Sequence, residues 1–176
     1  MQTVSAYKKR ISKVRWVISF AVMLPLVTVW LLFLSGRWRS FEIVSASMDP
    51  TLQVGDLVLM QSQQHVPDLT GKVIVFADPK GESDPLTKRV IAGQFTAIRL
   101  RNGHVYLGDD KYPIPGETLA YQTNHTWNVG EDEVFVMGDN RNDSFDSVEF
   151  GPIKRSSITG VVTLRYWPPH RIGFVR

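Results

Sequence analysis

Hydrophobic and polar positions follow two regimes along this chain. Residues 16–34 form a run of nineteen without a charge, broken only by Ser19, Pro25 and Thr28. A helix over this run has no polar face, so an ordinary core would leave it nothing to turn toward water. At ~1.5 Å per residue it spans about 28 Å, close to the hydrocarbon thickness of a bilayer. The pattern predicts a transmembrane helix at 16–34, with Pro25 tolerated inside it. Trp16, Trp30 and Trp38 stand toward its ends, where amphipathic rings favour the interface.

After Ser40 the period shortens. Residues 41–45, 53–61, 72–76, 86–91, 133–137 and 160–166 are rich in Val, Ile and Leu and are bounded by Gly, Pro and Asp turns, which predicts strands. Two further strands, 96–101 and 104–107, flank Asn102-Gly103, a type I′ hairpin signal because both turn positions need positive φ. No long stretch after the first helix carries helical periodicity, so the fold class is mainly β. Residues 94–132 are polar and turn-rich and read as a small inserted β region rather than a separate core.

Charge sharpens this division. Lys8, Lys9, Arg10, Lys13 and Arg15 precede the apolar run with no acid among them, and only Arg37 and Arg39 follow it closely. That asymmetry places the N-terminus in the cytoplasm and residues 40–176 on the far side of the membrane. A cleaved secretory signal is the competing reading, but its apolar region is about 7–15 residues and ends in a small-x-small site. Here the run is longer, and Ser35-Gly36-Arg37-Trp38-Arg39 is a poor site. Residues 40–176 carry 13 Lys and Arg against 17 Asp and Glu, a net charge of −4, so the overall +3 does not belong to the β domain. A nucleic-acid binder would carry its positive charge on the folded domain, and that class is set aside. The chain has no cysteine, which removes disulfides and thiolate chemistry.

Familiar catalytic patterns are missing. There is no Gly-x-Ser-x-Gly elbow, His-Glu-x-x-His or phosphate-binding loop. His65, His104, His125 and His170 are scattered and select no triad. Three segments stand out instead: Ser45-Ala46-Ser47-Met48-Asp49-Pro50-Thr51-Leu52; Leu86-Thr87-Lys88-Arg89-Val90-Ile91, with a lysine inside an apolar strand; and the polar loop from Gly138 to Ser147. Each alone is ordinary turn or strand chemistry.

Together, in this order after an anchor, they resemble the type I signal peptidases, the leader peptidases of bacterial export. The resemblance covers the whole chain, and its Ser-Met-x-Pro and Gly-Asp-Asn-Arg-x-x-Ser-x-Asp-Ser segments are the most specific parts. It implies a β catalytic domain with a second, variable β region, short here, and a serine endopeptidase with a Ser–Lys dyad that needs no metal or organic cofactor. By motif, Ser47 would be the nucleophile and Lys88 the general base, with Arg89 beside it. Ser45 and the Ser47 N–H would line the oxyanion hole. Ser144 would hydrogen-bond and orient the lysine, Asp139 would pair with Arg89, and Asp146 would hold the Gly-Asp-Asn loop. Ile43, Val44, Met48, Leu52 and Leu86 would border the substrate site, which in this family favours small residues at the cleavage site. The partners implied are signal-peptide-bearing preproteins and a lipid bilayer, and the place is the bacterial cytoplasmic membrane.

The physics of such a dyad asks for burial. Lysine is protonated at neutral pH at its ordinary pKa of about 10.4. Apolar surroundings disfavour the ammonium and lower that value, so a neutral amine becomes available as base. Leu86, Val90 and Ile91 are expected to supply that setting, with Arg89 adding repulsion if it approaches. The chain departs from the family pattern in three places. Ile91-Ala92-Gly93-Gln94 replaces a Leu-Pro-Gly-Asp-like turn, Ser-Ala-Ser replaces Ser-Gly-Ser, and Val148 stands where a basic partner for Asp146 is common. Two other readings stay open: a specialised processing enzyme of a conjugation or secretion system, and an inactive membrane-anchored β domain that binds exported peptides.

Overall fold

The structure, a computed structural model, describes residues 2–63, 66–81, 84–111, 113–116, 118–120 and 124–175; of 2–14, 29, 32 and 33 it describes the backbone alone. His65, five positions of the predicted inserted region and the side chains of Lys8, Lys9, Arg10 and Lys13 therefore lie outside the described residues. The chain divides into two compact units, Met1–Trp38 and Arg39–Arg176.

The first unit is helix α1 (Gln2–Leu34), 33 residues with Pro25 inside. Its side chains at Trp16, Phe20, Leu24 and Trp30 are all exposed. Over the described residues no helix is long and apolar enough to cross a membrane. Val29, Leu32 and Phe33, which complete the uncharged run of the sequence, are among the side chains left out of that description.

The second unit is mainly β. Its strands are β1 (Trp38–Glu42), β2 (Leu57–Ser62), β3 (Val73–Phe76), β4 (Leu86–Ala92), β5 (Ala97–Arg101), β6 (His104–Leu107), β7 (His125–Asn128) and β8 (Glu133–Met137). Helix α2 (Ser147–Phe150) follows, then β9 (Ile153–Lys154), β10 (Ile158–Trp167) and β11 (Gly173–Phe174). The main sheet runs β1-β2-β10-β3-β4-β8-β9, with β11 added to β10, and β6-β5-β7 form a second, three-stranded sheet.

The central strands owe their composition to burial on both faces. Within β3, Ile74 and Phe76 enter one apolar cluster with Val90, Val136 and Val161, while Val73 and Val75 enter another with Ile43, Met48, Leu52 and Val58. Successive strand side chains point to opposite faces, so a continuous Val-Ile-Val-Phe run is what a two-sided strand needs. β8 does the same: Val134 and Val136 join the first cluster, Phe135 and Met137 a third. That third cluster takes in Ile98, Leu100 and Val105 of the small sheet, so the inserted region shares a core with β4 and β8.

The Asn102-Gly103 turn has positive φ at both positions, 49° and 75°, as its sequence predicts. Other boundaries differ from expectation. The strand expected at 41–45 occupies Trp38–Glu42 instead, and the one expected at 53–61 starts at Leu57, because 53–56 turns back to pair with Ile43 through Ile43 N–Asp56 O and Gly55 N–Ile43 O bonds, both 2.9 Å. Strand β7 and helix α2 are too short to carry a period of their own.

Candidate active site

The turn that carries Ser47 follows the irregular segment after β1 and is anchored from below by apolar side chains. Ile43, Met48 and Leu52 are 4%, 1% and 0% exposed and pack into one cluster. Its far side is tied by charge. Asp56, 2% exposed, faces Arg165 at 3.5 Å and Arg171 at 3.1 Å, and Arg165 donates to Thr51 O at 2.6 Å. The turn is therefore held at both ends, leaving Ser47 between Ser45 and the main sheet.

Lys88 comes from β4, directly opposite Ile74 in the antiparallel register. Cross-strand partners share a face, as do residues two apart, so Ile74 and Val90 lie on its side. Lys88 is 3% exposed and its Nζ stands 2.6 Å from Ser47 Oγ. Ser45 Oγ lies 3.2 Å from the same oxygen. Burial pushes the Lys88 ammonium below its usual 10.5, while the carboxylates of Asp146, Glu149 and Asp143 pull it back up. One expectation about this setting needs correction, and one condition goes unmet. Ile91 packs into the third cluster, away from Lys88, because it occupies the alternate face of β4. Arg89, on that alternate face too, does not press on Lys88: its Nε and Nη2 clamp Asp139 at 2.8 and 2.6 Å.

The Gly138–Ser147 loop supplies the third side. Burial works to raise the Asp139 carboxyl, but the hydrogen bonds from Arg89 and Thr51, with the charges of Arg89 and Arg141, hold it below 3.8. Asp146, 2% exposed, accepts from Gly138 N at 2.9 Å and Val148 N at 3.1 Å, and closes a capping box with Glu149 on α2. Burial raises its pKa, against the hydrogen bonds that favour its charged form. Ser144, expected to bond the lysine, donates its described hydrogen bond to Asp146 Oδ2 at 2.8 Å instead. A carboxylate oxygen two residues on is the stronger acceptor within its reach. Ser147 is fully buried and accepts from Val136 N at 3.0 Å, which moors the loop to β8.

Several participants escaped the sequence reading. Asn140 donates from its backbone to Ser47 O at 3.1 Å and from its side chain to Ala46 O at 3.2 Å. Arg141, 8% exposed, donates to Pro115 O at 3.3 Å, and Asn142 bonds Ala120 N and Thr118 O, so the same loop also fastens the inserted region. Asn140 and Arg141 stood inside the Gly-Asp-Asn-Arg segment without an assigned role, and Asn142 was marked only by its place in a dense polar loop.

Beside the pair opens a cleft of ≈ 570 Å³ bordered by Phe41–Ser45 on one side and Asp84–Lys88 on the other, with Met48, Met60 and Val75 in its floor. Val44, 77% exposed, and half-buried Leu86 face it. Leu52 is not among its lining residues; fully buried, it backs the cleft from the core. A buried amine against a hydroxyl, beside an apolar cleft at a sheet edge, has the parts for acyl transfer from a peptide.

A family model described as signal peptidase, peptidase S26, matches residues 13–167. The chain belongs to the signal peptidase family S26. Among curated S26 relatives, thylakoidal processing peptidase 1 of Arabidopsis thaliana is 32% identical over 84% of this chain and 47% of its own. Signal peptidase I of Leptolyngbya laminosa is 31% identical over 74% of this chain and 70% of its own. The chain spans about half the length of the two thylakoidal peptidases it matches, 47% and 43%. A crystal structure of a signal peptidase I from Enterococcus faecalis aligns with a TM-score of 0.45 at 25% identity, covering 55% of this chain and 97% of that one.

Proposed function

We propose that this S26 chain is a membrane-anchored serine endopeptidase that removes N-terminal signal peptides from exported preproteins, with Ser47 as nucleophile and Lys88 as general base. The observation that carries the reading is the 2.6 Å approach of Lys88 Nζ to Ser47 Oγ, with both residues buried.

Neutral Lys88 takes the Ser47 proton as Oγ attacks the carbonyl carbon of the scissile peptide, whose π electrons move onto oxygen. The Ser47 N–H and the Ser45 hydroxyl donate to that oxyanion, each contributing on the order of 3 kcal/mol in a dry site. Collapse breaks the C–N bond, and the Lys88 ammonium returns the proton to the leaving amine. Neutral Lys88 then takes a proton from water, whose oxygen attacks the ester carbon; collapse breaks the C–Oγ bond, and Lys88 returns the proton to Ser47 Oγ. Arg89 and Asp139 brace the strand and loop, and Asp146 holds Gly138 and Ser144 in place.

The substrate lies extended along the edge beside β1, adding main-chain bonds there, while Ile43, Val44, Met48 and Leu86 shape the wall that admits small residues. The uncharged run within α1 anchors the chain in the cytoplasmic membrane of a bacterium, with residues 40–176 outside and a basic N-terminus inside. In the test, Ser47→Ala and Lys88→Ala each abolish cleavage of a preprotein with an Ala-x-Ala site while thermal melting is retained. Full activity in Lys88→Ala would sink the dyad.

A further inference from the structure

Asn140 grips the nucleophile turn by its backbone and its side chain. Its N–H donates to Ser47 O at 3.1 Å and its Nδ2 donates to Ala46 O at 3.2 Å. Ala46 O also accepts from Asp49 N at 3.0 Å, so both lone pairs of that carbonyl are engaged. The Ala46 carbonyl and the Ser47 N–H are two ends of one peptide unit. That unit is planar and trans, so its C=O and N–H point in opposite directions, and whatever fixes the carbonyl aims the N–H. Among the described residues the Ser47 N–H itself has no hydrogen-bond acceptor. A buried residue with an unspent, rigidly aimed donor is arranged to receive a charge that appears only during reaction.

We infer that Asn140 is the positioning residue of the oxyanion site: by pinning the Ala46 and Ser47 carbonyls it directs the Ser47 N–H at the oxygen of the tetrahedral intermediate. Asn140 touches neither reacting atom. Donation to the Ala46 carbonyl also polarises the amide and strengthens its N–H as a donor. The inference rests on the proposed role of Ser47 and extends it to a residue whose contribution is confined to the transition state.

The experiment uses the full chain in detergent and compares Asn140→Ala and Asn140→Asp with the parent and with Ser47→Ala. Asn140→Asp keeps the backbone bond and the side-chain size but sets a carboxylate against the Ala46 carbonyl. Four readouts are taken: kcat and KM across pH on an internally quenched peptide with an Ala-x-Ala site, affinity for a peptide aldehyde ending in Ala, affinity for the cleaved product peptide, and thermal melting. The aldehyde binds by forming a hemiacetal: Ser47 Oγ bonds to the carbonyl carbon, the C=O π bond breaks, the Oγ proton passes through Lys88 to the former carbonyl oxygen, and that oxygen accepts a hydrogen bond from Ser47 N–H.

Both variants are expected to lose about 10- to 100-fold in kcat, less than the ~10²–10³ that deleting an oxyanion donor costs. Aldehyde affinity falls in parallel. KM, product affinity and the pH at which activity rises stay as in the parent. An unchanged kcat overturns the inference, as does a loss confined to KM. A shift of the pH profile overturns it too, since Asn140 would then act through Lys88, and so does loss of folding in both variants. Cleavage by Ser47→Ala would instead remove the proposed function. A dead Ser47→Ala with fully active Asn140 variants removes this inference alone.

Discussion

Gly138 and Ser47 meet so closely that a Cβ on the glycine would stand 2.5 Å from the Ser47 carbonyl oxygen, and nearer still to the Ser144 hydroxyl. No side chain fits there, and the nucleophile turn and the supporting loop can touch only because position 138 has none. Gly138→Ala is expected to push the two apart, costing about 1–3 kcal/mol of stability by overpacking and about 100-fold in kcat, since ~1 Å of misplacement suffices for that. Thermal melts and steady-state kinetics on the same preparation check both.

The protonation of Lys88 sets the pH dependence. Its pKa is below 10.5, mainly through burial, and the neutral amine is the base, so kcat/KM rises with pH through that folded value and levels above it. Glu149 raises the Lys88 pKa by its charge. Glu149→Gln keeps the capping box, which accepts Gln, and removes that charge. The rising limb is expected to move to lower pH. A limb that stays put or moves upward would contradict the assignment of Lys88 as base.

Arg89 and Asp139 form a two-pronged ion pair with side chains only 18% and 14% exposed. Asp139→Asn is expected to cost about 1–3 kcal/mol, because a half-buried guanidinium loses its carboxylate. The sign with pH follows from the depressed carboxyl: the stabilisation is complete above pH 3.8 and is lost as pH falls through the lower, folded value. Acid titration of unfolding should fall less steeply below pH 3.8 in Asp139→Asn than in the parent.

Asn142 bonds the inserted region through Ala120 N at 2.8 Å and Thr118 O at 3.2 Å. Asn142→Ala is expected to cost about 1–2 kcal/mol through the loss of these largely exposed hydrogen bonds. Hydrogen exchange at the Ala120 amide should accelerate while kcat on the quenched peptide changes little. A large kcat loss would mean that the inserted region is coupled to the nucleophile.

What the sequence alone determined is whatever has a local cause. Asn102-Gly103 turns where it does because both positions tolerate positive φ, and the Val-Phe-Val-Met of β8 announces a strand buried on both faces. The segregated charge and the uncharged run belong to the same class, as do the motifs that carry the family resemblance. The tertiary structure decided what depends on pairing across the chain. Ser47 and Lys88 are 41 positions apart, and the amine meets the hydroxyl through the β3–β4 register together with the packing of Met48 in one cluster with Val73 and Val75. Ile91 looks in sequence like a neighbour of Lys88 yet serves another cluster, because one residue along a strand reverses the face. Ser144 turned to Asp146, and Asn140 reached Ala46, through geometry that no period records. Asp56 carried no role in the strand expected at 53–61, yet Arg165 and Arg171, more than a hundred positions away, close over it. Periodicity reports which way a side chain faces, whereas the partner it meets is fixed by long-range packing, and the chemistry proposed here depends on partners.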